Sequence, residues 1–144
     1  MVTKFRAFLT ETKTIHRVLQ IDLSRSMVSL KIENASEWYW FKEVVLMQST
    51  GLKDKNGVEI FEGDVLLHTS SSVNYSDTYW HSYVQVYRID SGAYRIKGKH
   101  IYHTELMSAR NRLEVVGNIY QNQNLLDKEY FSTSDGIVVQ ANES

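Results

Sequence analysis

The amino-acid sequence predicts a mainly β fold. An N-terminal β-meander covers about residues 4–48, and a compact SH3-like, barrel-like β region with one or two short helical turns covers about residues 58–126. Two observations carry this prediction. Apolar and polar side chains alternate with period two in several short runs. Clusters of Gly, Asn, Asp and Ser separate those runs.

The elements follow in order. Phe5, Ala7 and Leu9 share one face of a first strand. Ile15, Leu19, Ile21 and Leu23 alternate with His16, Val18, Gln20 and Asp22, which reads as one half-buried strand. Val28, Leu30 and Ile32 share a face of the next, and the short polar Ser24-Arg25-Ser26 makes the pair a hairpin. Glu37-Trp38-Tyr39-Trp40-Phe41 is the densest aromatic cluster. Trp38 and Trp40 fall on one side of a strand and read as core or as a cap over the sheet, because buried aromatics dominate core energetics. The alternative is an exposed stacking platform.

Asn56-Gly57 is a strong hairpin signal, since both residues tolerate the positive φ of a tight turn. Glu62-Gly63-Asp64 is a second turn, with Asp64 placed to bond its own turn backbone, and it feeds Val65-Leu66-Leu67. The polar stretch between His68 and Thr78 reads as a long loop. Over 79–89, Trp80, Val84 and Val86 take one side and Tyr79, His81, Tyr83, Tyr87 and Ile89 the other. Asp90-Ser91-Gly92 turns the chain so that Ala93–Lys97 returns antiparallel. Leu113 to Tyr120 is a further strand, in which Gly117 marks a bulge or a close backbone approach. Asn122 is placed to cap a helical turn through Gln123–Asp127. The chain ends in a polar tail over 129–144, where Ile137-Val138-Val139 offers an edge strand or a docking segment. Leu52, Ile60, Val65, Val115 and Ile119 are core candidates. Residues 1–144 read as one domain with subdomains at 1–48 and 58–126.

Composition excludes several classes. The chain has 144 residues, no cysteine, no proline and a formal net charge of −1. Without cysteine there is no disulfide scaffold, thiolate zinc site, Fe–S cluster or cysteine nucleophile. The longest aliphatic runs, Val44-Val45-Leu46-Met47 and Val65-Leu66-Leu67, fall far short of the roughly 20 residues of a membrane helix. Met1-Val2-Thr3-Lys4-Phe5-Arg6 lacks the apolar stretch of a signal peptide. A cytoplasmic protein without membrane contact is expected.

The near-zero net charge hides a block pattern: residues 1–33 carry +3, residues 34–64 carry −3 and residues 88–112 carry +4. The last block interleaves basic and aromatic side chains, and Tyr94, Arg95, Lys97, Lys99, Tyr102, Arg110 and Arg112 form the candidate binding set. Phosphate neutralisation and base stacking need such a mixture. A solvated strand face has the same composition, and a segregated charge pattern also sets register in a self-assembling subunit.

No catalytic constellation has specific spacing. His100 and His103 are three apart, which on a strand points them to opposite faces. No H-E-x-x-H, G-x-S-x-G or P-loop occurs. Asp54, Glu59, Glu62 and Asp64 lie close in sequence, but a Mg²⁺ site needs ligands that converge, and turn acids seldom do. Neither an enzyme nor a metal or cofactor site is expected.

Leu46-Met47-Gln48-Ser49-Thr50-Gly51-Leu52-Lys53-Asp54-Lys55-Asn56-Gly57-Val58-Glu59-Ile60-Phe61-Glu62-Gly63-Asp64-Val65 resembles the central signature of the YopX-like phage proteins. Leu113-Glu114-Val115-Val116-Gly117-Asn118-Ile119-Tyr120-Gln121-Asn122 resembles their C-terminal signature. Lys4-Phe5-Arg6-Ala7-Phe8 resembles their start, where a tryptophan commonly takes the place of Phe8. The motifs keep the family's order over about residues 4–126. The resemblance implies a mainly β accessory protein of a phage or prophage in a Gram-positive host, assigns no biochemical role and supplies no catalytic residues. The expected function is a non-enzymatic binding or assembly module whose partner is a second copy of itself or a host or phage protein. The alternative is nucleic-acid binding through residues 94–112.

Overall fold

A computed structural model describes residues 4–71, 77–99, 101, 104–133 and 138–140. The fold is mainly β, with antiparallel pairing throughout the described strands. The chain divides into two compact units, Met1–Ser49 and Thr50–Ser144.

The first unit follows the expected meander through its first four strands, after which the chain returns to the other side of the first strand. It contains β1 (Phe5–Leu9), β2 (Thr14–Asp22), β3 (Met27–Ile32), β4 (Ala35–Trp40) and the first half of β5 (Val44–Lys53), in the order β4-β3-β2-β1-β5. A single 3-10 turn, Phe41–Glu43, separates β4 from β5. Ala7, Leu9, Val28, Leu30 and Val44 form its buried core. β1 lies between two neighbours, and Phe8 on its second face is buried as well.

Two expectations fail in this unit, each for a physical reason. The alternation through β2 breaks at Leu19. Val18 pairs with Leu30 but Gln20 pairs with Ser29, so one residue is inserted between them. An inserted residue reverses the faces beyond it. Val18 and Ile21 therefore both pack on the core, while Leu19 is 45% exposed. Leu23 belongs to the hairpin turn and is 79% exposed. The second failure concerns Trp38 and Trp40, which are not core. Strand alternation gives the inner face of β4 to Tyr39, which packs on the core, and turns both indoles outward at 42% and 49% exposure.

The second unit is built around β8 (Thr78–Arg88). Along one edge β8 pairs with β7 (Asp64–Ser71), which in turn pairs with β11 (Leu113–Asn118). Along the other edge its ends are shared between β12 (Glu129–Thr133) and β9 (Tyr94–Gly98). The short strands β10 (Thr104–Glu105) and β13 (Val138–Gln140) extend β9 and β12, and β6 (Glu59–Phe61) neighbours the end of β5. Ile60, Leu66, Val84, Val86, Ile96 and Leu113 form the core, closed by Leu106 and Ala109 of the one-turn helix α1 (Leu106–Ala109). Two 3-10 turns complete the unit, Arg110–Arg112 and Gln123–Asp127. The latter packs on β7 and β8. Ile60 and Val65 are buried as expected, and Leu52 and Val115 pack against the core from its margin.

The polar stretch after His68 is strand rather than loop as far as Ser71, because Thr69, Ser70 and Ser71 pair with His81, Trp80 and Tyr79. Residues 72–76 lie outside the described residues. The tail also contributes structure. Glu129–Thr133 pairs with β8, and Val138-Val139 lies in the edge strand β13, with Ile137 outside the described residues.

Gly117 meets both expectations placed on it. The register between β11 and β7 shifts between Val115 and Gly117, which makes a bulge. A Cβ on Gly117 would collide with the side-chain amide of Asn122. That amide faces back to Asn118 N–H, whose bond to Asn122 Oδ1 is 3.2 Å, rather than capping the 3-10 turn it precedes.

Gly117→Ala is therefore expected to destabilise the protein by about 1–3 kcal/mol through overpacking. In Gly117→Ala/Asn122→Ala the two tightest clashes, with Asn122 Oδ1 and Cγ, are gone and the contact with its Cβ at 2.9 Å remains, so the collision is eased and the second change costs less than it does alone. Urea unfolding of the three variants measures the coupling.

Candidate functional site

The stretches 46–65 and 113–122 meet in space. Asp64 pairs with Asn118 across β7 and β11, and Ile119 N–H donates to the Gly63 carbonyl at 2.8 Å. Two acids of the first stretch, Asp54 and Asp64, bond to backbone N–H groups, while Glu62 lies 3.8 Å from Arg88 Nε. Asp54 Oδ1 accepts from Asn56 N–H at 2.8 Å and from Val58 N–H at 2.9 Å, which closes the Asn56-Gly57 turn. Its Oδ2 accepts from Val115 N–H at 2.9 Å, across to β11. Burial alone pushes the Asp54 carboxyl up. The three N–H bonds, with the nearby Lys55 charge, outweigh it and hold the group below its ordinary value. Asp64 is fully buried and accepts from Phe61 N–H at 2.8 Å. Asn118 accepts from Tyr120 and Gln121 N–H, both at 3.0 Å. Among the described residues no three of His, Asp and Glu converge in a way that holds a metal ion.

The candidate binding set divides along β9. Tyr94 and Ile96 face the core, and the Tyr94 hydroxyl is buried without a hydrogen-bond partner among the described residues. Burial pushes that phenol up. Arg95 and Lys97 take the opposite face. Arg95 is bonded to Glu105 of the next strand at 2.9 Å. Lys97 is exposed, with its ammonium 4.7 Å from the centre of the Tyr87 ring. Lys99 follows β9 directly. Arg110 and Arg112 stand on a separate 3-10 turn, and Arg112 acts on His68, a residue of the core-facing side of β7. Tyr102, with His100 and His103, lies outside the described residues. The structure thus brings Arg95 and Lys97 together beside Tyr87 and places Tyr94 and Arg112 elsewhere.

Cross-strand contacts form clusters that have no sequence spacing to reveal them. On the outward face of β8, His81 Nδ1 lies 2.9 Å from Thr69 Oγ1 and its Nε2 lies 2.6 Å from Ser132 Oγ. Its ring stacks on Tyr130 at 4.4 Å. Burial, then the Lys55 charge, pushes the His81 imidazole down. On the inward face His68, Ser82 and Glu129 are directly opposed on three adjacent strands. Glu129 accepts from the Trp80 indole at 3.0 Å. His68 and Ser82 are only 7% and 3% exposed, and His68 Nδ1 and Ser82 Oγ have no hydrogen-bond partner among the described residues. Burial, then the Arg112 charge, pushes His68 down.

In the first unit the outward face of β2–β4 carries the exposed indoles. The Asp22 carboxylate accepts from Ser24 Oγ at 2.6 Å and from Arg25 Nε at 2.7 Å. Those two hydrogen bonds, Ser24 first, hold it down to about 2. Arg25, fixed in this way, lies over Trp38 with its guanidinium carbon 5.5 Å from the ring centre. A shallow groove runs beside the pair, lined by Gln20, Ile21, Asp22, Leu23, Ser24, Arg25 and Trp38. No helix among the described residues is long and apolar enough to cross a membrane.

The sequence model of the YopX protein family matches residues 4–127. The fold is similar to the crystal structure of protein EF1440 from Enterococcus faecalis, at 31% sequence identity and a TM-score of 0.58, over 88% of this chain and 99% of that one. No curated protein matches the chain.

Two outcomes follow from the buried polar groups. Asp54→Ala is expected to cost about 1–3 kcal/mol, since it removes the acceptor of three N–H groups, and Asp54→Asn less. Hydrogen exchange at the Val58 and Val115 amides reports it locally. Both His68 and His81 hold protons less readily folded than unfolded. Below their ordinary value of 6.5 the unfolded chain binds the more protons, so stability falls as pH drops through that value toward the lower folded ones. Urea midpoints measured from pH 8 to pH 5 are expected to decline, and less steeply in His68→Leu.

Proposed function

The chain belongs to the YopX protein family, and on that footing we propose that it is a non-enzymatic binding and assembly module of a phage or prophage, active in the cytoplasm of the bacterial host. One observation carries the reading: Trp38 and Trp40 are held half exposed on an ordered sheet. An indole left in water on a fixed frame is the kind of group that anchors protein interfaces. The signature carboxylates point the same way, since Asp54 and Asp64 are bonded to backbone N–H groups and are engaged in folding. The segregated charge blocks supply the means of setting register between copies. Sedimentation velocity from micromolar to submillimolar protein, at low and near-physiological salt, tests the reading. Concentration-dependent association is the expected result. A strict monomer, indifferent to salt, that retains no protein from a lysate of its host would sink it.

A second reading, nucleic-acid binding, is favoured by the exposed Lys97 over the Tyr87 ring with Arg95 and Lys99 close by in the chain. It predicts anisotropy of labelled single-stranded DNA, duplex DNA or RNA that rises with protein and weakens steeply with salt. Lys97→Glu/Lys99→Glu is expected to abolish the signal. Unchanged affinity in that variant would remove these side chains from the reading.

A further inference from the structure

We propose that β4 docks a second copy of this chain, with two β4 strands pairing antiparallel about a two-fold axis at Trp38. The inference deepens the assembly reading above and rests on it.

The first support is the condition of the strand edges. An edge strand presents unpaired N–H and C=O groups, and proteins blunt such edges by shortening or covering them. In the second unit β6, β10 and β13 are two or three residues long. β11 is six residues long, but its outer edge is covered: Val115 N–H goes to the Asp54 carboxylate and the Leu113 carbonyl accepts from Lys55 N–H at 3.1 Å. β4 is also six residues long and ends its sheet. It contains no Pro and no Lys, and its register with β3 is unbroken from Ala35 to Trp40.

The second support is which groups point outward. Ile32 and Ala35 close the hairpin around Glu33-Asn34. In a two-residue hairpin the closing pair is hydrogen-bonded, and the pairs alternate from there. Ala35, Glu37 and Tyr39 thus bond to β3, and Ser36, Trp38 and Trp40 direct their backbone groups outward. The bond from Trp40 N–H to the Glu43 carboxylate, 2.8 Å, agrees with that alternation.

The third support is that side-chain chemistry selects one register. An axis at Glu37 would set two like charges face to face, which destabilises a strand pair. An axis at Trp38 sets Glu37 opposite the partner's Tyr39, twice by symmetry. These two side chains already attract each other: Tyr39 donates its hydroxyl to Glu37 at 2.8 Å within the strand. The same register places Trp38 against its own copy, exchanging a pair of backbone bonds. At each end Ser36 N–H reaches the partner's Trp40 carbonyl while Trp40 N–H stays with Glu43. The indoles, which each copy exposes alone, then cover one another.

The test uses the full chain and light scattering coupled to size exclusion. Wild type is expected at twice the monomer mass. Trp38→Lys, which sets like charges across the axis, and Ser36→Pro, which removes an outward N–H, are expected at monomer mass with an unchanged circular dichroism spectrum. The chain has no cysteine of its own, so Trp38→Cys offers a clean crosslink. Hydrogen-bonded antiparallel residues lie about 5.5 Å apart at Cα, within disulfide reach. Mild oxidation is expected to give a covalent dimer in Trp38→Cys and none in Ser91→Cys, placed in the β8–β9 turn. A dimer that survives both β4 variants, with no Trp38→Cys crosslink, overturns the proposal and leaves the assembly reading standing. A monomeric wild type overturns the proposal. If its tryptophan fluorescence is quenched by single-stranded DNA, the face is a base-stacking platform instead.

Discussion

The second unit depends on one carboxylate. Asp54 sits between a tight turn and a distant strand, and it accepts two N–H groups from the first and one from the second. A neutral amide has a single acceptor oxygen for this work, whereas a carboxylate has two and charge-assisted bonds. Its Oδ1 holds Asn56 and Val58 while Gly57 takes a φ of 81°. Its Oδ2 fixes β11 at Val115, one residue before the bulge. From there Gly117 admits the Asn122 amide, Asn118 folds the following turn, and Ile119 closes on Gly63. Residues far apart in the chain thus form one latch. The same contact covers an edge that would otherwise be open.

This latch explains why a family signature can be so polar and still serve the fold. Buried polar groups are costly unless bonded, and well-bonded ones specify a single arrangement. Asp54, Asp64 and Asn118 are all buried and bonded to backbone. The sequence made the turn residues legible, because Gly57 and Gly63 carry conformational requirements that few other residues meet. It did not reveal that Asp54 reaches Val115, since nothing local marks a bond across so much chain.

Legibility elsewhere followed the same division between local and distant causes. The alternation over 79–89 and the turn at Asp90-Ser91-Gly92 are local, and β8 and β9 fall where they point. Leu19 is bulged because β3 offers Leu30 and then Ser29, a fact of the partner strand. The serines and threonine after His68 lie in a strand because β8 pairs with them, although their own composition reads as loop. The candidate site suffered from the period-two rule in another way. Tyr94, Arg95 and Lys97 are close in sequence, but neighbours in a strand face opposite sides. Proximity in sequence joined what the strand separates, while Thr69, His81 and Ser132 met across three strands without any motif.

Exposed apolar side chains are common on proteins and carry little information singly. The outward face of the first unit differs because its indole is held in place. Asp22 accepts from Ser24 and from both the backbone and the guanidinium of Arg25. Arg25 in turn lies over Trp38. Such a contact is worth about 0.5–1 kcal/mol at an exposed site, too little to define the fold. Its consequence is entropic: a side chain already restrained loses less freedom when a partner covers it. Rigid aromatic anchors are effective in interfaces for that reason. The groove beside Trp38 and the outward groups of β4 therefore belong to one frame, in which the turn from Leu23 to Ser26 fixes the aromatic and the strand supplies the direction of approach.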